Sequence, residues 1–327
     1  MEYPQSDPHN PRVVTYSPAY TLVPTYECFN RCAYCNFRVD PGDDAWLSLA
    51  EARTRLSQLP AETSEILILS GEVHPSSRRR QAWFELIYSL CQLALEQGFL
   101  PHTNAGPLLY EEMAQLKQVN VSMGLMVEQV SPHLMQTVHQ YAPSKFPKLR
   151  LQQLQWAGEL GIPFTTGLLL GLGETEADWR DSLTAIAQVH QRWGHVQEVI
   201  LQPHSVGHQQ PWRGVTLAGE DLVRAVAIAR EVLPADITIQ VPPNLIAPSA
   251  LLDCLGAGAG DLGGIVPKDE VNPDYLHRHQ MRALLREAGW SLQPRLPVYS
   301  QYDSWLPSNL GRAVGEWRDR LAERVPA

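Results

Sequence analysis

At 327 residues the chain is long enough for one large (β/α) barrel or two ordinary domains. With 44% hydrophobic and 19% charged residues, its composition is that of a soluble globular protein with a sizeable core. A formal net charge of −9, with no Lys/Arg cluster larger than Arg78-Arg79-Arg80, speaks against broad nucleic-acid binding, and no apolar run approaches the ~20 residues of a bilayer span. The arginine triplet reads as a solvated helix start. The N-terminal MEYPQSDPHNPR has Pro and acidic residues where a signal peptide carries a basic start and an apolar stretch, so a cytoplasmic location without membrane attachment is expected.

Taken in chain order, short apolar or β-branched runs alternate with stretches of helical spacing. The predicted strands are 20–25, 64–69, 99–103, 120–126, 163–170, 196–201, 236–241 and 261–264. Ser48, followed three residues later by Glu51, forms a capping box for a helix ending near Leu59. Helices over 81–97 and 149–160 end at Gly98 and Gly161, each placed as a C-cap, and 177–191 and 217–233 are the other clear ones. Continuous apolar strands such as Ile66-Leu67-Ile68-Leu69 indicate parallel strands buried on both faces. Eight such strands alternating with helices predict an α/β fold, a TIM-type parallel barrel with outer helices. The expected organisation is an N-terminal extension at 1–14, a barrel core at 15–276 and a C-terminal helical appendage at 277–327.

Five cysteines is an odd number, and three of them fall within eight residues, which suits a metal or cluster site in a reducing compartment better than a disulfide framework. Cys91 and Cys254 stand in apolar surroundings and read as small buried hydrophobes. The other three form Cys28-Phe29-Asn30-Arg31-Cys32-Ala33-Tyr34-Cys35, directly after the first predicted strand and so at the end of the barrel where active-site loops gather. Three thiolates can each bind one iron of a cubane and leave the fourth iron open for a ligand, whereas electron-transfer clusters commonly use four Cys. Structural zinc prefers four closed ligands, and no fourth Cys or His lies at such spacing.

The C-x3-C-x2-C spacing, with an aromatic before its last Cys, resembles the radical S-adenosylmethionine (SAM) superfamily. The resemblance implies a (β/α) barrel with a [4Fe-4S] cluster on Cys28, Cys32 and Cys35. The open iron chelates SAM, and reductive cleavage yields a 5′-deoxyadenosyl radical. It implies SAM-binding roles for Tyr34, for Ser70-Gly71-Glu72 after the second strand, and for Asn104, Ser122, Glu128, Thr166, Gly167 and Gln202. Longer strings narrow the family: His102-Thr103-Asn104-Ala105-Gly106-Pro107, Asn120 to Glu128, Ile162 to Gly167, Gly194 to Gln202, Val241 to Leu245 and Asp261 to Gly264. Over roughly residues 15 to 300 these are similar to the CofG subunit family of 7,8-didemethyl-8-hydroxy-5-deazariboflavin (FO) synthase.

That resemblance implies conversion of 5-amino-5-(4-hydroxybenzyl)-6-(D-ribitylimino)-5,6-dihydrouracil to FO with loss of ammonia, a step toward coenzyme F420. The expected partners are this small molecule, the companion radical SAM subunit that makes it, and a ferredoxin or flavodoxin as electron donor. Asp261, His102 and His204 are expected to contact substrate or move protons, and Gln197, Gln202 and Asn244 to line the polar part of its site. Two positions depart from the family pattern: the segment 203–212, and Gly260 where Asn is expected. Rival readings are a sibling radical SAM enzyme, either the tyrosine-coupling companion or a menaquinone-pathway enzyme, and, outside enzymes, an Fe–S electron carrier or zinc-stapled scaffold.

Overall fold

The computed structural model describes residues 12–207, 210–212, 214, 217–265 and 278–324. In chain order the elements are β1 (Arg12–Leu22), α1 (Leu49–Ser57), β2 (Glu65–Leu69), α2 (Arg80–Glu96), β3 (Leu100–Asn104), α3 (Tyr110–Leu116) and β4 (Ser122–Gly124). There follow α4 (Pro147–Glu159), β5 (Phe164–Leu170), α5 (Glu176–Trp193), β6 (Val196–Pro203), α6 (Gly219–Val232), β7 (Thr238–Gln240), α7 (Pro248–Ala257) and β8 (Asp261–Ile265). The chain then adds α8 (Arg278–Glu287), β9 (Trp290–Pro294) and α9 (Ser308–Arg324). Strands β1 to β8 pair in parallel in sequence order and close through β1–β2, the expected barrel.

The helices start and stop where local chemistry directs. Ser48 and Glu51 form the anticipated reciprocal cap of α1, worth about 1 kcal/mol. Gly98 and Gly161, with φ of +83° and +61°, end α2 and α4 in the left-handed region. Ile66 and Ile68 on β2 are fully buried against Trp83, Ile87 and Leu90 of α2. At about 25 cal/mol per Å², each such side chain contributes roughly 2 kcal/mol.

Three departures from expectation have plain causes. Strand β1 begins at Arg12, so residues 12–14, expected in an extension, are paired sheet residues, and Ser17 and Pro18 had diluted the apolar signal. Strand β9 lies in the stretch expected to be helical and pairs with Arg12–Tyr16, taking the half of β1's edge that β2 leaves open. The arginine triplet is not simply solvated: Arg80 is buried and grips Glu112 with Nε (2.9 Å) and Nη2, while Nη1 donates to the Val73 carbonyl at 2.8 Å. Cys91 and Cys254 are fully buried, as expected. Residue 277 and the first eleven residues lie outside the described ones. Among the described residues no helix is long and apolar enough to cross a membrane.

The barrel interior is not packed solid. Alternating with the buried Ile66 and Ile68, the inward-facing Leu67 and Leu69 stay part-exposed, and Thr21, Asn104, Ile200 and Gln202 do the same on their strands. Barrels usually fill this space with layers of side chains. Here it forms a chamber. Its floor is a polar layer at the N-terminal strand ends, closed by the segment after β9. There Arg295 clasps Asp261 through Nε (2.6 Å) and Nη2 (2.8 Å) and also pairs with Glu198.

Candidate active site

At the other end, beyond Leu22, the chain enters the loop carrying Cys28, Cys32 and Cys35. Backbone N–H groups of Cys28, Phe29, Arg31 and Ala33 donate to the carbonyls of Val39, Glu72, Tyr141 and Val138 at 2.7–3.1 Å. These bonds tie the loop to those following β2 and β4. All three thiols are free of disulfides. Burial, with Glu72 nearby, pushes the Cys28 thiol up, and burial pushes that of Cys32 up to about 12 despite Lys145. Such thiols ionise when a cation binds them, which is how a metal takes cysteine ligands. Among the described residues no three His, Cys, Asp or Glu side chains converge on one ion. A cubane needs no such convergence, because each thiolate takes a separate iron. Three unpaired soft donors on one loop therefore fit a [4Fe-4S] cluster with an open iron.

Two buried carboxylates back this loop. Glu72 accepts from Asn30 Nδ2 (2.8 Å), from the Ser144 hydroxyl and from Arg150 Nη2 (3.1 Å). Asn30 Nδ2 also lies 3.6 Å from the Cys28 sulfur, which links the carboxylate to the thiol loop. Glu128 accepts from Tyr34 OH at 3.0 Å and from Lys145, with Arg150 Nη1 at 3.8 Å. Burial raises the Glu128 carboxyl, but Lys145, Arg150 and His139 outweigh it and bring it down to about 2. Glu128 has φ +68°, the one non-glycine with positive φ among the described residues. Such strain persists where surrounding contacts over-determine it, and it concentrates at functional sites. Tyr34 is further packed edge-on to His139 and His204, at 5.5 and 6.4 Å between ring centres.

The sequence profile of the radical SAM superfamily matches residues 22–186. A 7,8-didemethyl-8-hydroxy-5-deazariboflavin synthase of Synechococcus elongatus is 62% identical over 318 residues, covering 96% of this chain and 95% of that protein. One from Trichodesmium erythraeum is 61% identical, with 95% and 99% covered. The chain belongs to the FO synthase family of the radical SAM superfamily. Among solved structures, the FeFe-hydrogenase maturase HydG from Carboxydothermus hydrogenoformans superposes with a TM-score of 0.73 at 17% identity, over 96% of this chain and 79% of that one. Methylornithine synthase gives 0.66 at 15% identity, over 90% and 86%. These two likenesses are of fold alone.

Within the barrel the expected site residues separate into two ends. Cys28, Cys32, Tyr34, Cys35, Glu72, Glu128 and His204 gather around the thiol loop, and Asn104 and Gln202 line the chamber below them. Ser70 and Gly71 shape the backbone: Ser70 accepts from the Trp83 indole (2.9 Å) and donates to the Gly71 carbonyl, and a Cβ on Gly71 would overlap the Glu27 carbonyl. Thr166 is fully buried, donates to the Leu125 carbonyl and accepts from Val127 N–H, so it staples β4 to β5 instead of facing a cofactor. Gly167 allows the close approach of β6, since a Cβ there would meet the Ile200 carbonyl.

Asp261, Gln197 and Ser122, expected to reach substrate or SAM, are at the floor, at the N-terminal ends of their strands. Asp261 is the first residue of β8, where both its oxygens are taken by Arg295, Thr15 and Gly263 N–H. Gly260 sits at the same end, so its departure from the family pattern does not touch the mouth. Asn244 lies beyond β7.

The sequence reading had missed Asn30, His139, Ser144, Lys145 and Arg150. One signal was available: Arg150 shares the buried face of α4 with Leu154 and Ala157 at helical spacing, and a charge on such a face is paired or functional.

Proposed function

We propose that this protein converts 5-amino-5-(4-hydroxybenzyl)-6-(D-ribitylimino)-5,6-dihydrouracil to FO with release of ammonia. The observation that carries the reading is the thiol loop standing, with two buried carboxylates behind it, over an unfilled parallel barrel. A [4Fe-4S] cluster on Cys28, Cys32 and Cys35, with SAM, supplies a 5′-deoxyadenosyl radical when bound. Glu72 uses three of its about four lone-pair sites on protein donors and keeps capacity for the ammonium of SAM. Glu128, held anionic at neutral pH, offers a second acceptor, and Tyr34 walls the site. The chamber below, apolar at Leu67, Leu69 and Ile200 and polar at Asn104 and Gln202, suits a flat molecule that carries amide and hydroxyl groups. A companion radical SAM subunit supplies the adduct, and ferredoxin or flavodoxin the electron.

The test is anaerobic incubation of cluster-loaded protein with dithionite, SAM and the hydroxybenzyl adduct, following 5′-deoxyadenosine and deazaflavin fluorescence together. Both signals are expected. Deoxyadenosine without fluorescence would reject this substrate and keep the radical chemistry.

A further inference from the structure

His102, the middle residue of β3, points inward and is nearly buried. Its Nδ1 lies 2.7 Å from the Ser122 hydroxyl oxygen, and that hydroxyl lies 2.6 Å from the Pro297 carbonyl oxygen. A carbonyl only accepts, so the single hydroxyl proton of Ser122 is spent on Pro297. The proton between His102 and Ser122 must then be carried by Nδ1. Burial, with Arg295 adding to it, takes the imidazole down to about 3, so the ring is neutral. It follows that Nε2 has no proton and presents a lone pair. Among the described residues Nε2 has no hydrogen-bond partner. It faces Gly124, where a Cβ would come within 2.9 Å of it, so the missing side chain leaves that edge of the ring uncovered. Asn104, part-exposed to the chamber, is the next inward residue on β3.

We propose that His102 presents Nε2 to the substrate as a fixed hydrogen-bond acceptor for a substrate N–H or O–H, and that Ser122 and the Pro297 carbonyl are the positioning pair that hold it in that tautomer. The inference rests on reading the chamber as the substrate site. It makes the segment after β9 part of the specificity apparatus, because Pro297 comes from that segment. A permanently neutral acceptor suits recognition: a substrate donor meets a lone pair at every working pH, and an analogue lacking the donor leaves the acceptor buried and unpaired.

Two measurements test it. In cluster-loaded enzyme, His102→Phe keeps a flat ring and removes the acceptor, and His102→Gln restores an acceptor near the Nε2 position. With Phe, kcat/KM for the adduct should fall about 10- to 100-fold, chiefly through KM, while substrate-free cleavage of SAM stays within about twofold; Gln should recover much of the loss. An unchanged kcat/KM in the Phe variant, or a parallel loss of SAM cleavage, would overturn the proposal. The second measurement is 15N NMR of histidine-labelled protein, which reads the tautomer whatever the substrate proves to be. His102 should show a bare Nε2 in the wild type and a mixed tautomer in Ser122→Ala. A protonated Nε2 in the wild type would sink the idea even if the enzyme makes FO.

Discussion

Gly106 lies flat against Glu72: a Cβ on this glycine, whose φ is +88°, would overlap Cγ and Cδ of the glutamate. The loop after β3 thus sets the position of a carboxylate carried by the loop after β2. Gly106→Ala should displace Glu72, weaken SAM binding about tenfold and cost about 1–3 kcal/mol of stability, while iron and sulfide content stay unchanged. Equilibrium dialysis with SAM on the anaerobic protein checks this, and unaltered affinity would detach Gly106 from the site.

Removal of any one thiol of the loop should be decisive. Cys28→Ala, Cys32→Ala and Cys35→Ala should each abolish stable cluster binding and turnover. Cys91→Ala, deep against Thr103 and Asn120, should leave the cluster intact at a stability cost of about 1 kcal/mol. Iron and sulfide analysis after reconstitution distinguishes the two groups.

Glu128→Gln should leave Lys145 and Arg150 buried with less compensating charge, a loss of about 3–5 kcal/mol at neutral pH. The folded carboxyl titrates at about 2 against an ordinary value of 4.5. Its stabilisation is therefore present above pH 4.5 and is lost as the pH falls toward 2. Urea unfolding should show the gap between wild type and variant narrowing across that window. A constant gap would mean that charge is not the cause.

Glu198 behaves in the opposite sense. Burial, with Asp261 and Glu65 nearby, holds its carboxyl up at about 7 although Arg295 stands beside it. The folded state then binds the proton more tightly than the unfolded chain, so its contribution is whole below pH 4.5 and declines as the pH rises through 7. Glu198→Gln mimics the protonated form. The melting temperature of the variant relative to wild type should rise between pH 4.5 and 7, by the equivalent of up to about 3 kcal/mol. A pH-independent difference would refute the raised value.

The barrel and its cluster loop were legible because their signals are local. The cysteine spacing, the capping box at Ser48 and the apolar run of β2 each sit within a few residues. Strand β9 and the floor were not legible, because Trp290–Pro294 gains its meaning only from the free edge of β1, far away in sequence. Asp261 opens the strand expected at 261–264, so its place at the N-terminal end is legible, whereas its partner Arg295 is brought to it only by the fold. Lys145 lies in a stretch without a recognisable spacing, the helical spacing of Arg150 marks it as buried without naming its partner, and only the fold brings the two to Glu72 and Glu128.

The closure of the floor also sets a clock on the nascent chain. Thr15 finds its Asp261 partner 246 positions later, and Ser122 reaches a carbonyl 175 positions downstream. At about 5–20 residues per second of synthesis, β1 waits roughly 10 to 50 s for the residues that complete it. Contacts so distant in sequence form late, after loop closure has been opposed by chain entropy. A chain stalled after α8 would hold every cysteine of the cluster loop yet lack the segment that shuts the chamber and orients His102. Truncation before β9 should accordingly release a species that can take up iron and cannot recognise its substrate.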